Sequence, residues 1–400
     1  MRKLGIALAS AAAVLALGTA SASADDINIG VLLGFSGPLE ALAPPIAAGA
    51  ELAIQQVDEQ GGTKDGKLVA VRDDSTCADA TAAANAADRL INTKKVLTIV
   101  GAMCSGATIS AANTAGIPTN TVMISPSSTA PSLTTLDDKD LVFRTAPSDA
   151  YQGEVLARLL MSKGIKDVAV AYVNNDYGKG LADTFTAAFK GDGGNVAAVA
   201  PHEEGKADYR AELGSLAASG AQTLVLLAYA QGSGQTILRQ AIESGDFTTY
   251  VGADGMISDD LFKGMDTGAL EGMIGTKPGT ADVPGAKVFN DLATKAGLDP
   301  TKIYGPEAYD AAFLLALAIE KNGAKREGLS AALLDVATPP GEVILPGEWK
   351  KAKDIIDAGG DVNYEGATGP VDFDAHGDVA GYILEETVKD GHWIAVGPAK

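Results

Sequence analysis

The sequence predicts an α/β fold in which helices cover both faces of parallel sheets. Short runs that are apolar throughout recur along the chain, as at residues 27–35, 168–173 and 224–228. Amphipathic segments of helical length separate such runs, for example at residues 152–162 and 181–190. Strands without polar alternation are buried on both faces, which is typical of parallel sheets, and regular strand–helix alternation is typical of doubly wound folds.

The other predicted elements continue this alternation in chain order. Further strands are predicted at residues 68–72, 96–100, 121–124 and 196–200. Further helices are predicted at residues 46–60, 78–92, 209–219, 283–296, 304–322 and 330–337. The stretch from 126 to 147 is rich in turn residues and interrupts the pattern, so we expect a crossing between two domains there, with residues 278–284 as a second candidate.

Length and charge limit the classes of function that fit this chain. A chain of 400 residues is long enough for two or three domains, and its 46% of hydrophobic residues is enough to fill their cores. The net charge of −20 at pH 7 argues against nucleic acid and anionic lipid as partners, because both bind patches of Lys and Arg. The acidic surface itself indicates only solubility.

The first 24 residues have the pattern of a secretion signal. Arg2 and Lys3 precede an apolar stretch at residues 4–20, and Ala22 and Ala24 form an A-x-A cleavage pattern. The alternative, a membrane anchor, would need a longer uninterrupted apolar run. We therefore expect cleavage after Ala24 and a soluble, secreted protein.

The two cysteines, Cys77 and Cys104, are expected to form a disulfide, because a secreted protein folds in an oxidising compartment. The alternative, a catalytic cysteine, needs a histidine partner. The chain has only His202, His376 and His392, and none has an evident link to Cys104.

Motifs of catalysis and metal binding are absent or incomplete. Residues 61–68 nearly spell a phosphate-binding loop, but Leu68 replaces the Mg²⁺ ligand and the segment follows a helix instead of a strand. Residues 372–377 suggest a calcium loop, but Ile383 stands where its last carboxylate belongs, so a β-turn is expected. We expect no catalysis, no metal and no cofactor.

Hydroxyl-bearing residues follow two of the predicted strands. Residues 100–108 contain Ser105 and Thr108, and residues 124–131 contain a serine-rich run ending at Thr129. Ligands bind outside the carboxyl ends of strands in open α/β sheets, where hydroxyls and backbone N–H groups donate hydrogen bonds without adding charge. This pattern favours a small carboxylate as the ligand.

Three residues further along the chain are candidates for the opposite side of a ligand site. Tyr177 follows the strand at 168–173 and either closes over a ligand or belongs to a helix-capping turn. Asp254 lies among glycine and alanine, and is either a counter-ion for an ammonium group or part of a surface turn. Tyr229 ends the strand at 224–228 and forms either a cleft wall or interdomain packing.

Taken together, these segments resemble the branched-chain amino-acid-binding protein family, the periplasmic receptors of amino-acid ABC transporters, from residue 27 to the C-terminus. Each segment alone is weak evidence, whereas their order and spacing match the family. The resemblance rests on residues 35–38, 73–77, 101–105, 124–131, 143–145, 177–180 and 238–241.

The resemblance implies the type I periplasmic-binding-protein fold, with two doubly wound lobes joined by three hinge crossings around a ligand cleft. Lobe I would comprise residues 25–148 and 278–378, and lobe II residues 149–277 and 379–400. It also implies that Ser105 and Thr129 hold an α-carboxylate, that the Ser128 carbonyl and Asp254 hold an α-ammonium group, and that Tyr177 lies in the cleft.

Three departures from the family pattern concern the ligand side chain. Leu42 stands where leucine-type receptors can carry a large aromatic residue, and Asp254 is one methylene shorter than the usual Glu. Ala230 lies near a cleft tyrosine of the family, which Tyr229 can replace from one position away. These departures leave open whether leucine, isoleucine and valine are the ligands.

The sequence thus predicts a monomeric periplasmic protein that captures an amino acid and delivers it to an inner-membrane ABC permease. Hinge closure around the ligand would select the form that docks on the permease. A ligand sensor with the same cleft is the first alternative. A secreted enzyme on a similar fold is the second, and it lacks a visible catalytic pair.

Overall fold

The structure, a computed structural model, describes residues 26–399 of the chain. The predicted secretion signal at residues 1–24 lies outside the described residues. Within them the chain forms two lobes, each built around its own sheet, and a small two-stranded sheet. No helix of residues 26–399 is long and apolar enough to cross a membrane.

Fourteen strands occur between residues 26 and 399. In chain order they are β1 (Ile27–Leu33), β2 (Leu68–Asp74), β3 (Thr98–Gly101), β4 (Met123–Ser125), β5 (Val142–Arg144), β6 (Asp167–Val173), β7 (Asn195–His202), β8 (Thr223–Leu227), β9 (Thr249–Gly252), β10 (Ile274–Pro278), β11 (Glu342–Ile344), β12 (Val362–Tyr364), β13 (Ile383–Lys389) and β14 (His392–Pro398).

Eleven α-helices occur in the same described part of the chain, with short 3₁₀ and π turns between some of them. In chain order they are α1 (Ala43–Glu59), α2 (Ala80–Asp88), α3 (Ser105–Ala111), α4 (Asp149–Ser162), α5 (Asp176–Gly191), α6 (Arg210–Ala217), α7 (Gln235–Ser244), α8 (Pro284–Lys295), α9 (Gly305–Asn322), α10 (Leu329–Ala337) and α11 (Trp349–Asp357).

Lobe I is built on a five-stranded sheet with the order β2-β1-β3-β4-β5, in which every pairing is parallel. Its central strands are buried on both faces, as Val31, Leu32 and Leu33 show with no exposed area. This confirms the expectation from their continuous apolar character. The fifth strand, β5, lies inside the 126–147 stretch that was predicted to be a domain crossing, and the chain leaves the lobe I sheet at the end of that stretch.

Lobe II is built on a seven-stranded sheet with the order β14-β13-β10-β9-β8-β6-β7. The strands from β7 to β10 pair in parallel, and the C-terminal hairpin of β13 and β14 adds two antiparallel strands at one edge. The hairpin was not predicted from the sequence, because its strands mix charged and apolar residues and are partly exposed.

Helices α1 and α9 pack closely against each other in lobe I, and α9 is buried along almost its whole length. A Cβ atom added at Gly49 would lie 2.2 Å from the carbonyl oxygen of Gly305, so only glycine permits this approach. Leu42 precedes α1 and Tyr304 precedes α9. The contact between the two helices therefore brings both residues to the same side of the cleft.

The chain passes between the sheets three times, after β5, after β10 and before β13. Arg144, at the end of β5, has a side chain only 2% exposed and forms a bidentate ion pair with Asp378, with both N···O distances at 2.6 Å. The Arg144 backbone N–H also donates to the Gly377 carbonyl at 3.0 Å. The first and third crossings are thereby joined. The residue boundaries given above for the lobes stay a prediction.

Candidate functional site

Ser105 lies where β3 turns into α3, at the carboxyl edge of the lobe I sheet. Its hydroxyl oxygen accepts hydrogen bonds from the backbone N–H groups of Thr129, at 3.2 Å, and Ala130, at 3.1 Å. Because this oxygen accepts two bonds, the hydroxyl proton is left to be donated to another group. Ser105 is buried and lines the space between the lobes.

The serine-rich loop after β4 is held against the loop after β3 by its own hydroxyls. Ser127 Oγ donates to the Met103 carbonyl at 2.8 Å, and Ser125 Oγ donates to the Ala102 carbonyl at 2.6 Å. Ser128 Oγ is hydrogen-bonded to Thr108 Oγ1 at 2.7 Å. These bonds orient the backbone of both loops, which fixes the positions of their N–H and carbonyl groups in the cleft.

Asp254 follows β9 in lobe II and is buried. Its Oδ1 accepts hydrogen bonds from Tyr177, at 2.9 Å, and Gln152, at 3.1 Å, and its Oδ2 accepts one from Tyr304 at 2.7 Å. Burial raises the pKa of Asp254, and the hydrogen bonds from Tyr304, Tyr177 and Gln152 oppose this rise. A buried acid with this many donors is not the surface turn that was one alternative for Asp254.

Asp149 is a second buried acid beside the cleft, at the start of α4. Its Oδ2 accepts a hydrogen bond from Thr129 Oγ1 at 2.9 Å, while its Oδ1 has no hydrogen-bond partner among the described residues. Burial and the nearby charge of Asp254 raise the pKa of Asp149 well above its usual range. Sequence reasoning missed this residue, because an acid in the first turn of a helix needs no further explanation.

Two tyrosines of lobe II form one wall of the cleft. The rings of Tyr177 and Tyr229 are stacked, with centroids 5.4 Å apart and planes 13° apart. Asn175 caps α5, as predicted, by accepting from Gly178 N–H at 2.9 Å, and its Nδ2 donates to the Tyr229 hydroxyl at 3.2 Å. Tyr177 therefore belongs to the capping turn and also lines the cavity between the lobes, while its contact with a ligand stays a prediction.

These residues surround a cavity of about 20 Å³ between the lobes, roughly the room that one water needs. Both lobes line it, and one hydrogen bond crosses it directly, from the Tyr304 hydroxyl to Asp254. The lining residues are Leu39, Leu42, Met103, Cys104, Ser105, Ser127, Tyr177, Tyr229, Asp254, Gly255 and Tyr304.

At the rim of the cleft the two lobes also touch. The Gln231 side chain in lobe II accepts a hydrogen bond from the Ala41 backbone N–H at 2.8 Å, and Gln231 N–H donates to the Pro38 carbonyl at 3.2 Å. The structure therefore shows the cleft with its lobes in contact.

The structure brings four of the six predicted ligand residues to the cavity wall: Ser105, Tyr177, Tyr229 and Asp254. The other two, Ser128 and Thr129, are buried just behind it and orient the loop and Asp149. Ser127, Asp149, Gln152 and Tyr304 were not predicted. Tyr304 reaches the cleft from late in the chain, so no local pattern marks it.

The predicted disulfide between Cys77 and Cys104 is present, with the two Cα atoms 5.3 Å apart. Cys104 is immediately before Ser105 and lines the cavity. The bond therefore ties the segment after β2 to the loop that carries Ser105. Among residues 26–399, no group of three or more His, Cys, Asp or Glu is arranged to hold a metal ion.

Two α/β lobes with a small cavity between them, lined by both lobes, define the class of two-lobed ligand-binding proteins. The family model described as the receptor family ligand-binding region matches residues 46–386. The chain belongs to this family, and within it to the branched-chain amino-acid-binding proteins.

Two curated relatives and one crystal structure illustrate the relationship. The leucine-, isoleucine-, valine-, threonine- and alanine-binding protein of Pseudomonas aeruginosa is 30% identical over 318 residues, which are 79% of this chain and 84% of that protein. The chemotactic signal transduction system substrate-binding protein BasB of Halobacterium salinarum is 28% identical over 375 residues, covering 91% of this chain and 88% of BasB. The leucine-binding protein LivK of Thermotoga maritima superposes with a TM-score of 0.77 at 25% identity, covering 94% of this chain and 99% of LivK.

Proposed function

We propose that this chain binds a free α-amino acid between its lobes. The observation that carries the proposal is that the buried acid Asp254 of lobe II and the Ser105 hydroxyl of lobe I line the same cavity. The second buried acid, Asp149, lies behind the Ser105 loop and has one carboxylate oxygen without a partner among the described residues. An α-amino acid carries a carboxylate and an ammonium group next to each other, so it needs hydrogen-bond donors on one side and acceptors on the other.

In this proposal, the Ser105 hydroxyl donates a hydrogen bond to the α-carboxylate, and the N–H groups of Thr129 and Ala130, which donate to Ser105 Oγ, hold that hydroxyl in place. Asp254 and Asp149, with the Ser128 carbonyl, accept hydrogen bonds from the α-ammonium group, and Tyr177 and Tyr229 cover the ligand. Each hydrogen bond to a charged group contributes about 1.5 to 3 kcal/mol. Burial of a zwitterion without such partners would cost more than the cleft could recover.

We further propose that the protein acts in the periplasm and delivers its ligand to an ABC permease. The relatives named as amino-acid-binding proteins support this role. The ligand would bridge both lobes, so it would bind the closed form more tightly and shift the lobes toward it. We expect the protein to work as a monomer without a cofactor.

A ligand sensor is the second candidate, and the similarity to a substrate-binding protein of a chemotactic system favours keeping it. Both roles use the same cleft, so ligand binding does not separate them. The experiment that separates them is affinity capture of binding partners from membranes of the native host, with and without ligand. Recovery of a permease supports delivery, and recovery of a signalling receptor instead contradicts it. The secreted enzyme has no supporting observation in the described residues.

The test of the ligand class is a thermal-shift screen of amino acids and of carboxylates that lack the amino group, followed by calorimetry. A ligand at a hundred times its Kd stabilises the fold by about 2.7 kcal/mol. We expect Asp254→Asn to abolish the shift for amino acids. Asp183→Asn, which changes an exposed acid on α5, should leave it unchanged. Binding of simple carboxylates alone, or normal amino-acid binding by Asp254→Asn, would contradict the proposal.

A further inference from the structure

Gly180 of α5 lies directly against Pro131, in the loop after β4, so this contact joins lobe II to lobe I. A Cβ atom added at Gly180 would lie 2.7 Å from Pro131 Cδ, and the three heavy atoms nearest to it all belong to Pro131. Carbon atoms in ordinary contact are about 3.5 to 4.0 Å apart. Only glycine therefore fits at position 180 while the lobes are in contact.

A second contact of the same kind lies at the rim of the cleft. Gly232, in the turn after β8, faces Pro38 of lobe I, and a Cβ atom added at Gly232 would lie 2.7 Å from Pro38 Cβ. The preceding residue, Gln231, donates its backbone N–H to the Pro38 carbonyl at 3.2 Å. The two lobes thus meet at two glycine–proline contacts.

Both contacts are close to the small cavity between the lobes. Gly180 follows Tyr177 by one turn of α5, and Gly232 follows Tyr229 by three residues. Both tyrosines line the cavity and stack on each other. The distance of each glycine from its proline therefore determines how near these two rings come to lobe I.

The chemistry of the two residue types gives each contact a sharply defined closest approach. The proline ring is bonded to the backbone nitrogen, so Pro131 Cδ cannot rotate out of the way as the end of a flexible side chain could. Glycine has no side chain that must be ordered on closure. Pro131 also directly follows Ala130, whose N–H donates to Ser105 Oγ at 3.1 Å, so the contact is part of the loop that holds Ser105.

The separation of the lobes matters because the groups of the cleft come from both of them. The Tyr304 hydroxyl of lobe I donates to Asp254 Oδ2 of lobe II at 2.7 Å. A methyl group at Gly180 would hold the two segments about 1 Å further apart. A hydrogen bond lengthened by a similar distance is lost. A ligand held between Ser105 and Asp254 would be affected in the same way.

We propose that Gly180 and Gly232, each against its proline, are positioning residues for closure, which set the separation of the lobes at which the ligand is held. The inference rests on the proposed function, because it needs a ligand that bonds to both lobes. Neither glycine is among the residues that line the small cavity, so each acts through the contact between the lobes.

The test is calorimetric titration of the full chain without its predicted secretion signal, freed of bound ligand by unfolding and refolding. The probes are alanine, threonine, valine, isoleucine and leucine. We expect Gly180→Ala to weaken binding at least tenfold for every amino acid that the parent protein binds, because the added methyl group acts on the lobes and not on the ligand's side chain. Loss of one hydrogen bond to a charged group accounts for a factor of this size.

Gly191→Ala is the matched control, because Gly191 ends the same helix and a Cβ atom there would have no neighbouring segment within 4 Å. It should leave every affinity unchanged. Pro131→Ala, added to Gly180→Ala, removes the ring atoms that the methyl group meets and should recover most of the lost affinity. Alanine is the better helix former, so Gly180→Ala without ligand should melt no lower than the parent protein.

The outcomes separate this inference from the proposed function. If Gly180→Ala binds as tightly as the parent protein, the inference is wrong and the amino-acid site stands. The same holds if Gly180→Ala loses affinity and melting temperature together and Pro131→Ala recovers neither, because the damage would then lie within α5. If the parent protein binds none of the five amino acids, the proposed function is wrong and the inference fails with it.

Discussion

At the scale of single residues, the cleft has one buried acid in its wall, Asp254, and a second one, Asp149, behind it. Both are buried, and burial is the largest cause of the raised pKa of each. Two carboxylates near each other do not both ionise easily without a cation between them. An ammonium group placed there would favour the ionised form of both acids, so ligand binding and proton release should be coupled.

We predict that affinity for an α-amino acid weakens as the pH falls through the raised pKa of Asp149, and that binding in this pH range releases a measurable fraction of a proton. The reason is that the ligand's positive charge lowers this pKa. Calorimetry in two buffers with different ionisation enthalpies measures the release. Asp149→Asn should reduce it, while Asp183→Asn should not. Equal binding enthalpies in both buffers for the parent protein would count against coupling.

His202 carries a second pH dependence, this time of stability. Burial is the main cause that lowers its pKa from 6.5 to about 4, so it is neutral in the folded protein at pH 7. Its Nε2 lies 3.0 Å from Ser233 Oγ. The unfolded chain binds a proton at higher pH than the folded one, so the folded state loses stability as the pH falls from 6.5 through 4.

We predict that this loss reaches about 3 kcal/mol below pH 4, and that His202→Gln removes it. Urea unfolding of both proteins at pH 7, 5.5 and 4 provides the measurement. The stability difference between them should shift in favour of the variant as the pH drops. A difference that stays constant over this range would show that His202 does not titrate in this way.

The residues of the site differ in how readily the sequence reveals them. Ser105, Tyr177 and Asp254 each follow a strand directly, and the carboxyl ends of parallel strands are where ligands bind. Asp149 looks like an ordinary acid in the first turn of a helix. Its importance comes from the nearby charge of Asp254, which is distant in the sequence. Tyr304 reaches Asp254 only because α1 and α9 pack closely, which no local pattern encodes.

At the scale of elements, the contacts between the lobes come from loops at strand ends. The Gln231 side chain, just before α7, bonds to Ala41 N–H across the rim, and its Nε2 donates to Asp260 Oδ2 at 3.2 Å within lobe II. Gln231 is not among the residues that line the small cavity. Its contribution to ligand affinity would therefore act through closure of the lobes.

We predict that Gln231→Ala speeds ligand dissociation by about two- to tenfold, because one hydrogen bond between the lobes contributes about 0.5 to 1.5 kcal/mol. Gln235→Ala is the control, since the Gln235 side chain bonds only to backbone carbonyls of residues 260, 261 and 263 in its own lobe. Stopped-flow fluorescence measures both rates. Equal dissociation rates in the two variants would contradict a role for Gln231 in closure.

At the scale of the whole molecule, the two-lobed α/β architecture could be predicted from the sequence, whereas the strands at the edges of its two sheets could not. Continuous apolar strands and amphipathic helices alternate clearly up to residue 244 or so, and the structure follows them. The strand β5 has only three residues, too few for any periodicity to be visible. The hairpin of β13 and β14 lies at a sheet edge, where partial exposure mixes polar and apolar residues.

The disulfide affects stability as well as the site. It closes a loop of 27 positions, which in the chain-entropy model stabilises the fold by roughly 3 to 4 kcal/mol. We predict that a reducing agent lowers the melting temperature, and that the double variant Cys77→Ser, Cys104→Ser melts at the same lowered temperature with or without reductant. An unchanged melting temperature of the parent protein under reduction would indicate that the bond does not form in solution.

The ion pair of Arg144 with Asp378 has a mechanical consequence. It joins two of the three segments that connect the lobes, and the guanidinium is almost completely shielded from water. Those two segments should move together as one rigid unit, so we expect the lobes to rotate about a single hinge axis. We therefore expect the open and closed conformations to be related by the same rotation for every ligand.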